Sequence, residues 1–362
     1  MKILDYIGGK LGKNKFPMVG LDISDNSIEF MQLERGFKKP KIKKIYRLEL
    51  ESGLISNNRI KEIEKVAAIL QSAFLEAKLP TNSCLLSLPD KETYFVTLKS
   101  SQAENIKQEI YQLAQENLPI DLSSCYWDFC PAGEGQYFFA AAPKDIIEQY
   151  IELFKLSGLM LEIIDFESAC LARTLIDQTE LIEGLFILDL GAKSTDLILV
   201  DKNGFTDQIN FAAGGFFISQ KIAEKLNKDF SFAENLKKEK GIELPEINAE
   251  QFLEEMFAPI VAEINKMSAI YQQKTGKDAK RIILAGGTSL LKGLKEFFEK
   301  KLPGYQIEFG QIAGKIDFSE DLLKGDKILY ANVIGLALRG LNRENLSQGI
   351  NLRKDFQETK ES

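Results

Sequence analysis

The stretch that most constrains this chain is residues 185–200, Leu-Phe-Ile-Leu-Asp-Leu-Gly-Ala-Lys-Ser-Thr-Asp-Leu-Ile-Leu-Val. Apolar β-formers lead up to Asp189, the run Gly191, Ala192, Lys193, Ser194 makes a tight turn, and a second apolar run leads away. The pattern predicts strand, turn, strand. A glycine turn lets bare backbone amides approach an anion, and Ser194 and Thr195 add hydroxyl donors next to Lys193. Asp189 and Asp196 flank the turn, and carboxylates beside phosphate need a cation or a water between. Magnesium with a nucleotide is such a cation, because it binds through one or two carboxylates together with phosphate oxygens. A plain β-hairpin with a polar turn fits the same residues, so this stretch alone leaves both readings open.

A second copy narrows the choice. Residues 19–33 read Val-Gly-Leu-Asp-Ile-Ser-Asp-Asn-Ser-Ile-Glu-Phe-Met-Gln-Leu. Laid over the first stretch, Asp22 falls on Asp189, Ser24 on Gly191, Asn26 on Lys193, Ser27 on Ser194 and Glu29 on Asp196. A third signal lies at residues 281–294, where a buried-type strand runs into Gly286, Gly287, Thr288 and Ser289 and then a helix. A helix start of that kind turns backbone amides toward a ligand.

Two acid-ended hairpins in successive halves, followed by a strand, a Gly-Gly turn and a helix, resemble the actin-like ATPase superfamily. The resemblance implies an α/β chain with the duplicated ribonuclease H-like fold, and ATP with Mg2+ held between the halves. Asp22 and Asp189 would hold the metal, Asp189 also serving catalysis. Ser24, Asn26, Ser27, Gly191, Lys193, Ser194 and Thr195 would hold phosphates, and Gly286, Gly287, Thr288 and Ser289 the adenosine. Gly214 and Gly215, at a further helix start, would bring more amides near phosphate. Glu234 and Lys237 match the superfamily's Glu-x-x-Lys, which reaches ribose and base, although such pairs are also common on exposed helix faces. Glu167 opens a helix where the superfamily often carries a residue that orients the attacking water; an acid near a helix N-terminus also has a purely structural reading.

Between the first hairpin and Glu167 the order of elements is β-α-β-β-α-β, that of a small inserted α+β module. In the superfamily, such a module (1C) marks the FtsA and PilM branches. Glu116-Asn117-Leu118-Pro119, Trp127-Asp128, Ala140-Ala141-Ala142-Pro143-Lys144 and Ile163-Ile164-Asp165-Phe166-Glu167 resemble the PilM family of type IV pilus assembly. That resemblance divides the chain into a leader (1–16), subdomain 1A (17–90, 163–183 and 328–342), 1C (91–162), 2A (184–216 and 276–327), 2B (217–275) and a flexible tail (343–362). It implies a cytoplasmic protein at the inner face of the membrane, with self-association possible. Its partner would be the N-terminal segment of the inner-membrane protein PilN, held in a groove beside 1C. That partner segment carries an Ile-Asn-Leu core, and this chain has Ile350-Asn351-Leu352 in its own tail. A tripeptide of this kind recurs by chance, which is the ordinary explanation; the alternative is a tail that occupies the same groove, in cis or on a neighbour, and competes with the partner.

The first hairpin departs from the family pattern. Ser24 stands where glycine is usual, and Glu29 where PilM relatives often carry lysine. A Cβ restricts backbone approach and an extra carboxylate opposes phosphate, so slow hydrolysis or binding without hydrolysis is expected. Two alternatives are an FtsA-like division protein that forms membrane-associated filaments, and a small-molecule kinase.

Composition narrows the classes further. Histidine is absent, which removes the usual zinc ligand and general base. A net charge of −7 argues against nucleic acid as partner. Cys84, Cys125, Cys130 and Cys170 lie in apolar runs and read as buried small hydrophobes of a reducing compartment. No run approaches about 18 apolar residues, the length of a membrane span. Residues 1–15 read as a leader that is frayed, packs on its own domain or lies on an anionic membrane; the seven basic residues without an acid at positions 35–47 read as a strand edge that resists aggregation or as a membrane- or partner-facing patch. Residues 58–78 read as an amphipathic helix. Tyr126, Trp127, Tyr137, Phe138 and Phe139 suit core packing better than an RNA-stacking sheet, for want of basic partners.

Overall fold

The structure, a computed structural model, describes residues 17–100, 105–133, 135–177, 183–242, 244, 248–312, 314–317, 327–341 and 349–353. The leader lies outside the described residues. The chain divides into two compact units, residues 1–176 with 312–362, and residues 177–311.

The first unit is built on a five-stranded sheet in the order β10-β6-β1-β2-β3. Strands β1 (Val19–Ile23) and β2 (Ser27–Glu34) form the first hairpin, with Asp22 opposite Glu29, and β3 (Lys41–Glu49) lies on the outer edge. A small hairpin, β4 (Ile55–Ser56) and β5 (Arg59–Ile60), precedes helix α1 (Ile63–Ala77). The helix begins later than the apolar spacing suggests. Asn57 and Asn58 both adopt left-handed φ (52° and 59°), the conformation that a two-residue hairpin turn demands and that asparagine tolerates. From there Val66, Leu70, Ala73, Phe74 and Ala77 form one buried stripe, and α1 stops at Lys78 in the left-handed conformation, two residues before Pro80. Strand β6 (Ser83–Leu88) returns parallel to β1.

The inserted module follows as β7 (Tyr94–Lys99), α2 (Ile106–Asn117), β8 (Cys125–Gly133), β9 (Gln136–Pro143) and α3 (Lys144–Leu156). Its sheet has three strands, β7-β9-β8. The fourth strand of the expected module, β10 (Met160–Phe166), instead pairs parallel with β6 in the five-stranded sheet. Ile163, Ile164, Asp165 and Phe166 are all buried there, as a strand covered on both faces requires. Trp127, Phe138 and Phe139 are buried as well, with Trp127 stacked 5.5 Å from Phe139.

Helix α4 (Glu167–Leu175) follows β10 directly and packs on α9 (Ala331–Gly340). The crossing is close enough that a Cβ on Gly335 would lie 2.1 Å from the Cys170 carbonyl oxygen, so glycine there is a steric necessity. Asp165 locks β10 to both helices, with Arg173 at 3.0 Å and Arg339 at 2.5 Å. Burial alone would push the Asp165 carboxyl up, but the two guanidiniums outweigh it and hold it below the usual range. Residues 314–317 also belong to this unit: Asp317 donates its amide to Pro40 O at 2.7 Å, so the segment begins beside β3 instead of closing the second half.

The second unit repeats the theme with a sheet in the order β13-β12-β11-β14-β15. Strands β11 (Leu185–Leu190) and β12 (Thr195–Asp201) are the central hairpin, extended by β13 (Gly204–Phe211). Helices α5 (Gly215–Leu226), α6 (Phe230–Lys240) and α7 (Ala249–Thr275) come next, then β14 (Arg281–Ala285), α8 (Leu294–Lys301) and β15 (Gln306–Phe309). Phe186, Leu188, Phe257, Ile264, Leu284 and Phe298 are fully buried in one core between these layers. All four cysteines are buried.

Candidate functional site

In the second unit the expected site residues converge. Strand β11 ends on half-buried Asp189 and Leu190, and the turn closes with Gly191 N donating to Ser194 O at 2.9 Å. The start of α5 is pulled onto that turn: Gly215 N donates to Gly191 O (3.1 Å) and Phe216 N to Ala192 O (2.7 Å). Thr288 Oγ1 reaches the same Gly191 oxygen from the other side at 2.8 Å. Gly286 is in the left-handed region (φ 75°), and a Cβ there would sit 2.4 Å from Asp189 Oδ1. Only glycine fits between the β14 turn and the carboxylate. Glu234 and Lys237 complete the cluster; Lys237 Nζ donates to Glu234 (2.8 Å) and to Gly215 O (2.7 Å). Burial would raise the Glu234 carboxyl, but Lys237 and Ser219 overcome it and hold it low, so the acid is charged.

Several hydroxyls in this cluster build the loops. Thr195 Oγ1 donates to Ala213 O, Thr288 Oγ1 to Gly191 O and Ser289 Oγ to Gly286 O, each at 2.7–2.8 Å. Their protons are engaged with backbone, which leaves their lone pairs as acceptors. Lys193 and Ala192 stand exposed on the turn. The Gly-Gly turn also differs in detail from the expected strand-to-helix entry: residues Gly287–Leu290 form a 3₁₀ turn, and α8 begins only at Leu294 after Gly293.

The first unit presents a different turn. Ser24 Oγ accepts from Ser27 N (3.1 Å) and Asn26 N (3.4 Å), while Ser24 N donates to Ser27 O (2.9 Å). The serine thus occupies the turn's own amides, where a glycine would leave them facing outward. Asp25 is buried and accepts from Asn57 N and Asn58 N, both at 3.0 Å, fixing the β4–β5 turn. Asp22 is wired to β6 and α9: Asn332 Nδ2 donates to Ser87 Oγ (3.0 Å), and Ser87 Oγ to Asp22 Oδ1 (3.5 Å). Burial raises the Asp22 carboxyl against the pull of Asn332, Ser87 and Arg47. Glu29 is pushed up to about 7, first by burial and then by Asp22, although Arg47 on β3 meets it at 2.5 Å. Buried Tyr150 of α3 is raised by burial and by the charges of Asp22, Glu167, Asp25 and Glu92. Those acids therefore share one neighbourhood with Glu167, the half-buried first residue of α4.

Sequence reasoning missed Ser87, Asn332, Arg47 and Tyr150. None carries a motif, and only the pairing of β6 and α9 with β1 brings the first two to Asp22.

The tail, expected to be flexible, is docked over residues 349–353. Ile350, Asn351 and Leu352 are buried. Leu352 N donates to Ile164 O (2.9 Å), and the Asn351 carboxamide bonds twice to the same edge of that strand, Oδ1 accepting from Ile164 N (3.1 Å) and Nδ2 donating to Glu162 O (3.2 Å). Asn351 N donates to Asp128 of the inserted module at 2.8 Å. Strand β10 is an edge of its sheet, and the tail satisfies the backbone groups it would otherwise leave open.

Two sheets of matching order, each with an acid-ended hairpin, define an actin-like fold with an inserted α+β module. The profile of the family described as "Type IV pilus assembly protein PilM" matches residues 20–341, and the chain belongs to that family. Among solved structures it is similar to the "PilM-PilN type IV pilus biogenesis complex", at 20% identity and a TM-score of 0.76, over 91% of this chain and 100% of that one. It also resembles MreB 5 of Spiroplasma citri bound to AMPPNP (14%, TM-score 0.51, 90% and 96% covered). Ethanolamine utilization protein EutJ from Carboxydothermus hydrogenoformans is similar in fold as well (14%, 0.50, 92% and 94%).

Proposed function

We propose that this chain is a nucleotide-responsive scaffold of type IV pilus assembly, acting at the cytoplasmic face of the inner membrane and gripping the N-terminal segment of PilN. The observation that carries this reading is the seat of Ile350-Asn351-Leu352 on the edge of β10 beside the inserted module. That edge captures an extended Ile-Asn-Leu segment through backbone pairing and one carboxamide, the chemistry by which a peptide adds to a sheet. The solved relative whose fold matches best among those described above is a complex with PilN. The tail would then be a tethered competitor, its high local concentration setting a threshold that the partner must exceed. Family membership favours this scaffold over the division-protein and kinase alternatives.

ATP is the nucleotide proposed. In support, Gly286 brings backbone close to Asp189, Gly215 closes onto the Gly191 turn, and Lys237, paired with Glu234, reaches Gly215. When bound, Mg2+ supplies positive charge between phosphate and carboxylate, and Asp22 and Asp189 are the residues proposed to hold it. Gly214, Gly215, Gly191, Lys193 and Ser194 would hold phosphates, and Gly286, Gly287, Thr288 and Ser289 would border the adenosine. Glu167 would orient a water. The self-occupied Ser24 turn and the extra carboxyl of Glu29 directly opposite Asp22 favour binding with slow or no hydrolysis.

The test is calorimetric titration of a PilN N-terminal peptide into the full chain and into a chain lacking residues 345–362, each with and without Mg-ATP. The peptide is expected to bind both, more tightly without the tail, with an affinity that changes on adding Mg-ATP. Unchanged affinity on deletion would remove the competition. Absence of binding to either chain would remove the scaffold reading.

A further inference from the structure

We propose that the β2–β3 hairpin is a membrane-contact element that seats this chain directly on an anionic lipid surface. At its tip, Phe37 is 98% exposed, the most exposed large apolar side chain among the described residues. Around it stand Arg35, Lys38, Lys39, Lys41, Lys43 and Lys44, all exposed, and no acid occurs between positions 35 and 47.

The tip is shaped. A Cβ on Gly36 would lie 2.0 Å from the Lys39 carbonyl oxygen, so the turn is folded tightly and Phe37 is held outward by backbone geometry. On the other side, Asp317 N donates to Pro40 O, which pins the start of β3. Strand β3 then breaks its alternation. Gln32 pairs with Lys44 and Leu33 with Ile42, which leaves Lys43 as an extra, bulged residue. The bulge turns both Lys43 and Lys44 to solvent while Ile42 stays buried, adding a cation that a regular strand would have turned inward. Of the nearby acids, two are engaged elsewhere and two stand beside Lys41. Glu29 holds Arg47, Glu76 accepts from Tyr46, Asp317 lies 4.0 Å from Lys41, and Glu34 pairs with Lys41 across the ladder.

Lysines on an edge strand commonly guard against aggregation, and that accounts for the charges. It does not account for an uncovered phenylalanine among them, which works against such a guard. An aromatic side chain ringed by cations matches the two layers of an anionic bilayer surface: headgroup charge for the lysines and the acyl boundary for the ring. The chain as a whole carries −7, so long-range attraction to such a surface does not come from net charge. The hairpin would both orient the protein and hold it. This contact is separate from any held through PilN and does not depend on the nucleotide site.

The experiment is sedimentation of the full chain, without nucleotide or peptide, with phosphatidylcholine vesicles that contain about one third phosphatidylglycerol or none. Three variants accompany it: Lys43→Glu with Lys44→Glu, Phe37→Ser, and Phe37→Trp. Thermal melts establish that each is folded. The native chain is expected to bind the anionic vesicles alone and to release in high salt. The double charge reversal should weaken binding about tenfold or more, and Phe37→Ser several-fold. The indole emission of the Phe37→Trp variant should shift to the blue on anionic vesicles, above the constant signal of buried Trp127. Native chain left in the supernatant would overturn the proposal. So would a Phe37→Ser variant that binds as tightly as the native chain, because the hairpin would then be an unspecific anion patch.

Discussion

Asp22 on β1 stands directly opposite Glu29 on β2, two carboxylates on neighbouring strands with one guanidinium, Arg47, within reach of Glu29 at 2.5 Å. Like charges in that position oppose each other, and burial penalises both. Both carboxyls are therefore raised above the ordinary carboxylate range, Glu29 to about 7.

Stability should therefore fall as pH rises. Glu29 binds its proton more tightly folded than unfolded, so its contribution is most favourable below about 4.5 and is lost as pH climbs through about 7. Glu29→Gln should flatten that slope, with an upper bound of about 3 kcal/mol, offset in part by the cation it leaves at Arg47. Urea unfolding of both proteins at pH 5 and pH 8 checks the sign.

Asn351→Ala removes the carboxamide that pairs with Ile164 N and Glu162 O. Unsatisfied buried backbone costs roughly 1–3 kcal/mol, enough to release a segment of this length. Hydrogen exchange at Ile164 should quicken, and the variant should bind a PilN peptide more tightly, as is expected of the chain lacking its tail.

Gly286→Ala sets a Cβ against Asp189 in a left-handed backbone. A loss of about 1–3 kcal/mol is expected, together with loss of any rise in melting temperature on adding Mg-ATP. Lys193→Ala separates the two effects. The side chain is exposed, so stability should hold while the nucleotide-induced rise shrinks.

Arg173→Met removes one of two cations on Asp165 and the donor to Gly335 O at 2.9 Å. Breaking a buried ion pair from one side costs about 3–5 kcal/mol. A fall of that size in the midpoint-derived stability is expected, whereas Lys155→Met, in an exposed i,i+3 pair, should be nearly neutral.

Both hairpins, the helices and the element order of the inserted module were legible in the sequence because each is fixed over a few residues. Alternation to Asp189, a glycine turn and the stripe from Val66 to Ala77 are local matters of backbone preference and periodicity. The Glu-x-x-Lys pair at 234 and 237 was also visible, but its meeting with Gly215 was not. Even the small hairpin at Asn57 and Asn58 hid inside a helical pattern, since left-handed asparagines leave no trace in hydrophobic spacing.

Tertiary structure alone decided which sheet β10 joins, what surrounds Asp22, and where the tail goes. Met160–Phe166 has the composition of a strand in either sheet; parallel pairing with β6 is a long-range choice made by burial on both faces. Ser87 and Asn332 are 245 positions apart and meet only because β6 and α9 both flank β1. Ile350-Asn351-Leu352 reads as a polar tail until an open strand edge and the Asp128 carboxylate offer partners for its backbone. Local preference is written residue by residue, whereas satisfaction of buried polar groups depends on which distant segments the packed core places side by side.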